Sequence, residues 1–348
     1  MRIDSSEVIQ VKQRKIRSIL WAAGILVLIL DSRTAIVAAQ ASIELCLQVV
    51  IPSLLPFFVL VSLLTSSIHQ DTPSLRPIGK LCGMPRGSEN LFIIGLLGGY
   101  PTGARAVTQA YKEGRITKED AQRMLGFCNN AGPAFLFGMV AQQFRHRWTP
   151  WLIWIVLIIA AILTGILTNK PAKDGIFPKI HKPITLPIAL KTSIQALALV
   201  CGWIILFRIL VEYMDRWLFH LLPATLQIIL VCCLELVNGC YMLSSIPNEG
   251  LRFILACGSL SLGGLCIAMQ TASVIEELEI KHYLLGKAFQ CGISLMLAFF
   301  IQLLFPPQMR LSLPPAVSVV FLSFLAILAI ILRELEKRCS IPGKLVVY

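Results

Sequence analysis

Two stretches combine residue types that an apolar chain has little reason to carry. GGYPTGAR, Gly98 to Arg105, follows directly on the apolar run LFIIGLL and sets three glycines, a proline and an arginine where a helix would otherwise continue. Gly98, Gly99 and Gly103 let another backbone or a ligand come close. Pro101 suits the first turn of a restarting helix, where its missing donor would have had no partner anyway. A helix restarting near Thr102 aims free amides and a partial positive charge at the break, which favours an anionic group there. Arg105, one turn on, adds a fork-shaped counter-charge for a carboxylate or phosphate, and Tyr100 stands within the same break. The alternative is that the glycines only permit close helix packing and Arg105 reaches out to the membrane interface.

GFCNNAGPAFLFG, Gly126 to Gly138, repeats this logic with amides. Asn129 and Asn130 supply donors and acceptors, while Gly132 and Pro133 break and restart a helix. Two such breaks facing one another at mid-membrane are where transporters bind substrate; a plain Gly/Pro kink with the asparagines capping local backbone is the alternative. Later in the chain, CLELVNG holds Glu235, Asn238 and Gly239, and GSLSLGG holds Ser259, Ser261, Gly263 and Gly264, followed by Gln270 and Thr271. Glu235 stands in an apolar run, where an acid is paired, protonated or part of an ion pathway. Glu44 occupies a comparable place in the first half, so these two acids are the candidates for ion or proton coupling. Arg208 and Glu212 lie four apart on one helix face and neutralise each other.

The elements that must position these residues are membrane helices. Of the 348 residues 56% are apolar and 14% charged, and the mean hydropathy is +0.75, which together exclude a soluble domain. Apolar runs such as Trp151–Leu167, Ile194–Phe207, Leu226–Leu236 and Ala316–Leu332 approach the ~20 residues needed to cross a hydrocarbon core of ~30 Å. The net charge of +12 is scattered over the connectors, as lipid headgroups and the positive-inside rule require, with no basic face for nucleic acid. Most of the eleven cysteines lie in apolar stretches and act as small hydrophobes. No CxxC pair, metal-ligand cluster, nucleotide loop or nucleophile–base pair can be assembled, so neither a metal, a cofactor nor an enzyme is expected.

Along the chain the reading is a cytoplasmic segment and first helix over residues 1–34, a first repeat over 35–168, a polar linker over 169–187, a second repeat over 188–306, and a last helix with a basic tail over 307–348. Pro52 and Pro56 should kink or unwind the helix that carries them. Thr117 with Asp120 three residues on marks a helix start after Gly114. In the second half Leu222–Ile246 and Leu251–Ile275 read as two apolar elements. The repeats echo each other in element order, and the second copy is inverted if an odd number of spans separates them. The connectors at 111–123 and 168–191 are basic like both termini, and simple alternation cannot put all of them on one side; re-entrant hairpins at 91–110 or 124–144 remove the conflict. The fold class expected is an all-α polytopic membrane protein with about 8–10 transmembrane or re-entrant helices.

GGYPTGAR followed by FCNNAGPAFLFG, after IPSLLPFFVL, resembles the sporulation integral membrane protein YlbJ family, also called SpoVV, within the larger group of nucleoside-transporter/FeoB-type Gate domain proteins. The resemblance covers nearly the whole chain, with its first-half motifs the more specific. It implies two Gate-like repeats with broken helices and an endospore-forming bacterium. It also implies a transporter in the outer forespore membrane that moves dipicolinic acid (pyridine-2,6-dicarboxylate) toward the forespore. A Gate-type transporter of nucleosides or another small organic anion, and a membrane scaffold in spore assembly, are the rival expectations. Expected partners are the small dianion and the lipid bilayer, with a homo-oligomer left open.

Overall fold

The computed structural model describes residues 5–67, 75–170 and 184–304, and among them every regular element is a helix. The chain is an all-α polytopic membrane protein. Five helical elements are long and apolar enough to cross a bilayer: Ser32–Leu64, Thr149–Leu167, Leu186–Trp217, Glu249–Ile275 and Ile280–Leu304. They turn large apolar side chains such as Trp151, Leu206 and Leu303 outward, as lipid-facing helices do. The expected last helix and basic tail lie outside the described residues, as does most of the lysine-rich linker.

The first half opens with α1 (Ser5–Leu30), which turns at Asp31 into α2 (Ser32–Leu45) and, through a π-helical turn at Cys46–Val50, into α3 (Ile51–Ser67). Pro52 and Pro56 do not unwind this element. The π turn widens the register just ahead of Pro52, and the Ser53 hydroxyl donates to the Val49 carbonyl at 2.7 Å, so the helix continues through both prolines. After α4 (Arg76–Leu81) come α5 (Asn90–Gly98) and α6 (Thr102–Lys112). A Cβ placed on Gly103 would stand 2.9 Å from the Gly95 Cα, whereas eight residues of straight helix would separate them by about 12 Å. The chain therefore doubles back at Gly99–Pro101. With α5 only nine residues long, roughly 14 Å, the pair is a helical hairpin whose first leg is too short to cross a hydrocarbon core of ~30 Å.

Next, α7 (Lys118–Leu125) and α8 (Pro133–Gly138) flank an irregular segment, and α9 (Thr149–Leu167) crosses. Thr117 caps α7 as the sequence predicts: its hydroxyl accepts from the Asp120 amide at 3.1 Å and donates to the Asp120 carboxylate at 2.9 Å. The second half begins with the long α10 (Leu186–Trp217). The apolar element expected over 222–246 is instead a second hairpin, α11 (Ala224–Leu234) and α12 (Leu236–Met242), turning at Glu235. Here too the legs touch, a Cβ on Gly239 falling 2.5 Å from the Cys232 Cα. The element expected over 251–275 is split into α13 (Glu249–Leu262) and α14 (Gly264–Ile275) by Gly263 and Gly264, whose φ angles of 80° and 74° no ordinary helical residue adopts. Finally, α15 (Ile280–Leu304) packs between α9 and α13.

The long elements α2–α3 and α10 lie side by side, and the hairpins lodge against them, α5 on α3 and α11 on α10. A large apolar core runs through both halves, from Phe58 and Leu136 to Phe253 and Leu260, and a second one lies beneath the first hairpin around Leu91, Val107, Phe127 and Tyr283. Against such surroundings any buried polar cluster stands out.

Candidate functional site

The first hairpin and the Gly126–Gly138 break fit together backbone to backbone. The Cys128 carbonyl oxygen sits against both Gly95 and Gly103, and a Cβ on either glycine would come within 2.0 Å of it. At the tip, a Cβ on Gly99 would lie 3.0 Å from the Gly132 nitrogen. Asn129, fully buried, accepts from the Ala104 amide at 3.3 Å, so its side chain takes one of the free donors at the start of α6, and it donates to the Thr271 hydroxyl at 3.1 Å. The two breaks in the first half thus face one another, and Asn129 ties them to α14.

Tyr100 extends the tip toward the second half. Its hydroxyl donates to the Leu260 carbonyl at 3.0 Å, just before the α13–α14 break, and its ring lies near Gly263. The second hairpin makes the matching contact on its own side: Gly264 lies so close to the Cys232 and Cys233 carbonyls that a Cβ there would be 2.7 Å from the first of them. Ser261 bonds through its hydroxyl to Ser294 of α15, and Ser259 lies against the Cys232 thiol.

The most consequential group at this meeting point is one that the sequence reading passes over. Lys287 of α15 is 1% exposed. Its Nζ donates to Asn130 Oδ1 at 3.2 Å and to Gln290 Oε1 at 2.6 Å, and it lies 5.4 Å and 5.9 Å from the ring centroids of Tyr100 and Tyr283. Gln290 Nε2 also donates to Asn130 Oδ1, at 2.9 Å, while Asn130 Nδ2 donates to the Phe127 carbonyl at 2.8 Å. Tyr283 stands against Thr271 and Asn129, which closes the cluster. Among the described residues Lys287 has no carboxylate partner. Burying an ammonium costs several kcal/mol even after relaxation. Hydrogen bonds to it are each worth about 1.5–3 kcal/mol and cation–π contacts about 0.5–2 kcal/mol. Those neutral partners offset much of the penalty and leave the charge itself uncancelled.

One turn from these residues the backbones of α7 and α15 touch, Gly126 against Gly286, with no side chain between them. That contact sets the depth of Lys287 relative to Asn129 and Asn130.

The other predicted residues fall elsewhere. Arg105 does not reach Asn130. It lines a groove of about 500 Å³ between α6 and α14, with Thr102, Gln109, Lys112, Ser273 and Glu276 around it. Gly98 packs on Val61 of α3, and Pro133 is buried at the start of α8. Glu235, fully buried, caps α12: its carboxylate accepts from the Val237 amide at 2.9 Å, the Asn238 amide at 2.6 Å and Asn238 Nδ2 at 2.5 Å. Asn238 in turn accepts from Arg208 at 3.4 Å, and Arg208 pairs with Glu212 at 3.0 Å. Gly239 serves the close contact inside the second hairpin. Glu44 is on the exposed face of α2, hydrogen-bonded to Gln48 at 2.8 Å. The signal that would have found Lys287 is present in YLLGKAFQC, a lone lysine three residues from a glutamine inside an apolar helix.

With this geometry in place, the chain can be set beside known proteins. It is 26% identical over 325 aligned residues to the sporulation integral membrane protein YlbJ of Bacillus subtilis (strain 168), an alignment that takes in 78% of this chain and 77% of the relative. The similarity to this sporulation membrane protein runs over most of both chains. No protein-family model matches this chain, and no solved structure does. The hairpins, the facing breaks and the Lys287 cluster are described from this chain alone.

Proposed function

We propose that this protein is a sporulation membrane transporter that carries dipicolinic acid across the outer forespore membrane, binding it where the hairpin tips meet the helix breaks. The observation that carries the reading is the first hairpin's tip, Gly99–Pro101, seated on the Gly132 break with Asn129, Asn130 and Lys287 buried at the junction. Irregular backbone and polar groups at membrane depth are tolerated where they line a path for substrate. The relative's name supplies the sporulation setting.

Two Gate-like repeats, 35–168 and 188–306, are part of the same proposal. Each half runs long helix, hairpin, broken helix, long helix. The packed pairs correspond as well: α3 meets α5 and α8 as α10 meets α11 and α14, and α7 meets α15 as α13 meets α9. Because α5–α6 returns to its side of entry, three crossings precede α10, namely α2–α3, α7–α8 and α9. That odd number makes the second repeat inverted. The same count puts the basic connectors at 111–123 and 168–191 on one common side of the membrane, opposite the start of α2.

The test is dipicolinate flux into proteoliposomes holding the full chain, with and without a pH gradient, and with a nucleoside as the comparison solute. Saturable dipicolinate uptake supports the reading; nucleoside uptake in its place overturns it. In spores, Arg105→Ala should abolish dipicolinate accumulation while the protein stays in the membrane, since Arg105 lines the groove beside α6 together with Lys112, and Lys112 is paired with Glu276.

A further inference from the structure

We propose that Lys287 is the anchor for a carboxylate of the transported anion, and that the rings of Tyr100 and Tyr283 receive an aromatic ring attached to it. The proposal rests on the transporter reading above and goes further by assigning the ligand's charged group to one atom.

Three observations carry it. First, Lys287 Nζ and Gln290 Nε2 both donate to a single neutral acceptor, Asn130 Oδ1, at 3.2 Å and 2.9 Å. Two donors converging on one oxygen form the arrangement a carboxylate oxygen takes, with a charge that the ammonium then cancels. Second, the ammonium is enclosed without a carboxylate partner among the described residues, its neighbours being the amides of Asn130 and Gln290 and the phenol rings of Tyr100 and Tyr283. A buried cation of this kind is completed by a ligand anion. Third, the rings over Nζ come from two different elements, Tyr283 from α15 and Tyr100 from the hairpin tip. Because Tyr100 also bonds to the Leu260 carbonyl, the tip covers the ammonium and links it to the α13–α14 break. A ligand that reaches Lys287 must move this tip, so occupancy and gate position are coupled. An aromatic carboxylate is favoured over an aliphatic one there, because contacts with the Tyr100 and Tyr283 rings add to the ion pair.

The experiment is equilibrium binding to the purified full-length protein in detergent, using dipicolinate, isophthalate and the uncharged pyridine-2,6-dicarboxamide as probes. The wild type should prefer the carboxylates to the diamide by roughly thirtyfold or more, the size of effect expected for a buried charge pair. Lys287→Gln should erase that preference, and Lys287→Arg should keep part of it. Asn130→Asp is the second variant: it hands Lys287 an internal counter-ion at the cost of the Nδ2 bond to the Phe127 carbonyl, and, in protein whose thermal unfolding shows it folded, should lose carboxylate binding. A wild type without the preference, a Lys287→Gln variant that retains it, or an Asn130→Asp variant that binds dipicolinate as the wild type does would each overturn the assignment. Carboxylate binding at Lys287 without flux in proteoliposomes would leave the anchor standing and remove the transporter reading.

Discussion

Gly103→Ala tests the hairpin seat directly. A methyl carbon there would stand 2.0 Å from the Cys128 carbonyl oxygen and 2.9 Å from the Cα atoms of Asn129 and Gly95, so backbone would have to retreat by about 1 Å or more to restore a tolerable contact. No flexible side chain can absorb that shift, because every atom met is main chain. Overpacking of this kind costs about 1–3 kcal/mol. The retreat also stretches the Ala104 amide away from Asn129 Oδ1, already at 3.3 Å, a loss of about 0.5–1.5 kcal/mol. Against this, alanine gains up to about 1 kcal/mol over glycine in a helix. The net expectation is a loss of roughly 1–3 kcal/mol, seen as a fall of several degrees in the unfolding temperature of the detergent-solubilised chain. The control is Gly202→Ala on α10, where a Cβ would meet nothing within 4 Å and the helical preference of alanine acts alone. If Gly103→Ala melts with the wild type, or Gly202→Ala falls as far, the seat described between α6 and Cys128 is wrong.

Glu235→Ala should be among the more damaging single changes, at about 3–5 kcal/mol, because it strips the acceptor from three donors in a fully buried place; thermal unfolding and the yield of monodisperse protein both read it. A variant that keeps wild-type stability and alters only the pH dependence of flux would move Glu235 from helix cap to proton carrier. Thr117→Ala should remove about 1 kcal/mol by uncapping α7, and amide exchange at Asp120 should quicken with it, since the Thr117 hydroxyl is that amide's acceptor.

Much of this was legible in the sequence, and what was hidden has physical causes. Gly98–Gly103 and Gly132–Pro133 announce breaks because those residues favour or force them locally, and Thr117 with Asp120 announces a cap for the same reason. Whether a broken helix continues or turns back is decided by tertiary contact, here the Cys128 carbonyl against Gly95 and Gly103, so the hairpins were only one option among several. The burial of Glu235 was foreseeable from its apolar run, and its hydrogen bonds to the next turn were not. Pro52 and Pro56 were expected to kink or unwind a helix that, after a π turn just ahead of them, continues through both. Lys287 escaped notice because a lysine near one end of an apolar run reads as a side chain reaching for the interface; only the packed α7, α9 and α13 around α15 show it enclosed.

The bare contact between Gly126 and Gly286 has a mechanical consequence. Where two helices interlock through side chains, relative motion must lift ridges out of grooves. Where backbone meets backbone there is nothing to unlock, and the elements turn about the touching point without any rotamer change. Gly286 is the residue before Lys287, and Asn129 and Asn130 follow Gly126 within about one turn, so the ammonium and its amide neighbours sit close to the axis of such a rotation. Tyr100, its ring 5.4 Å from the ammonium, shares that short lever arm, while the Leu304 end of α15 lies about 27 Å from Gly286. A rocking motion can therefore swing the far ends of the helices while the anchor, its amide partners and Tyr100 stay close together.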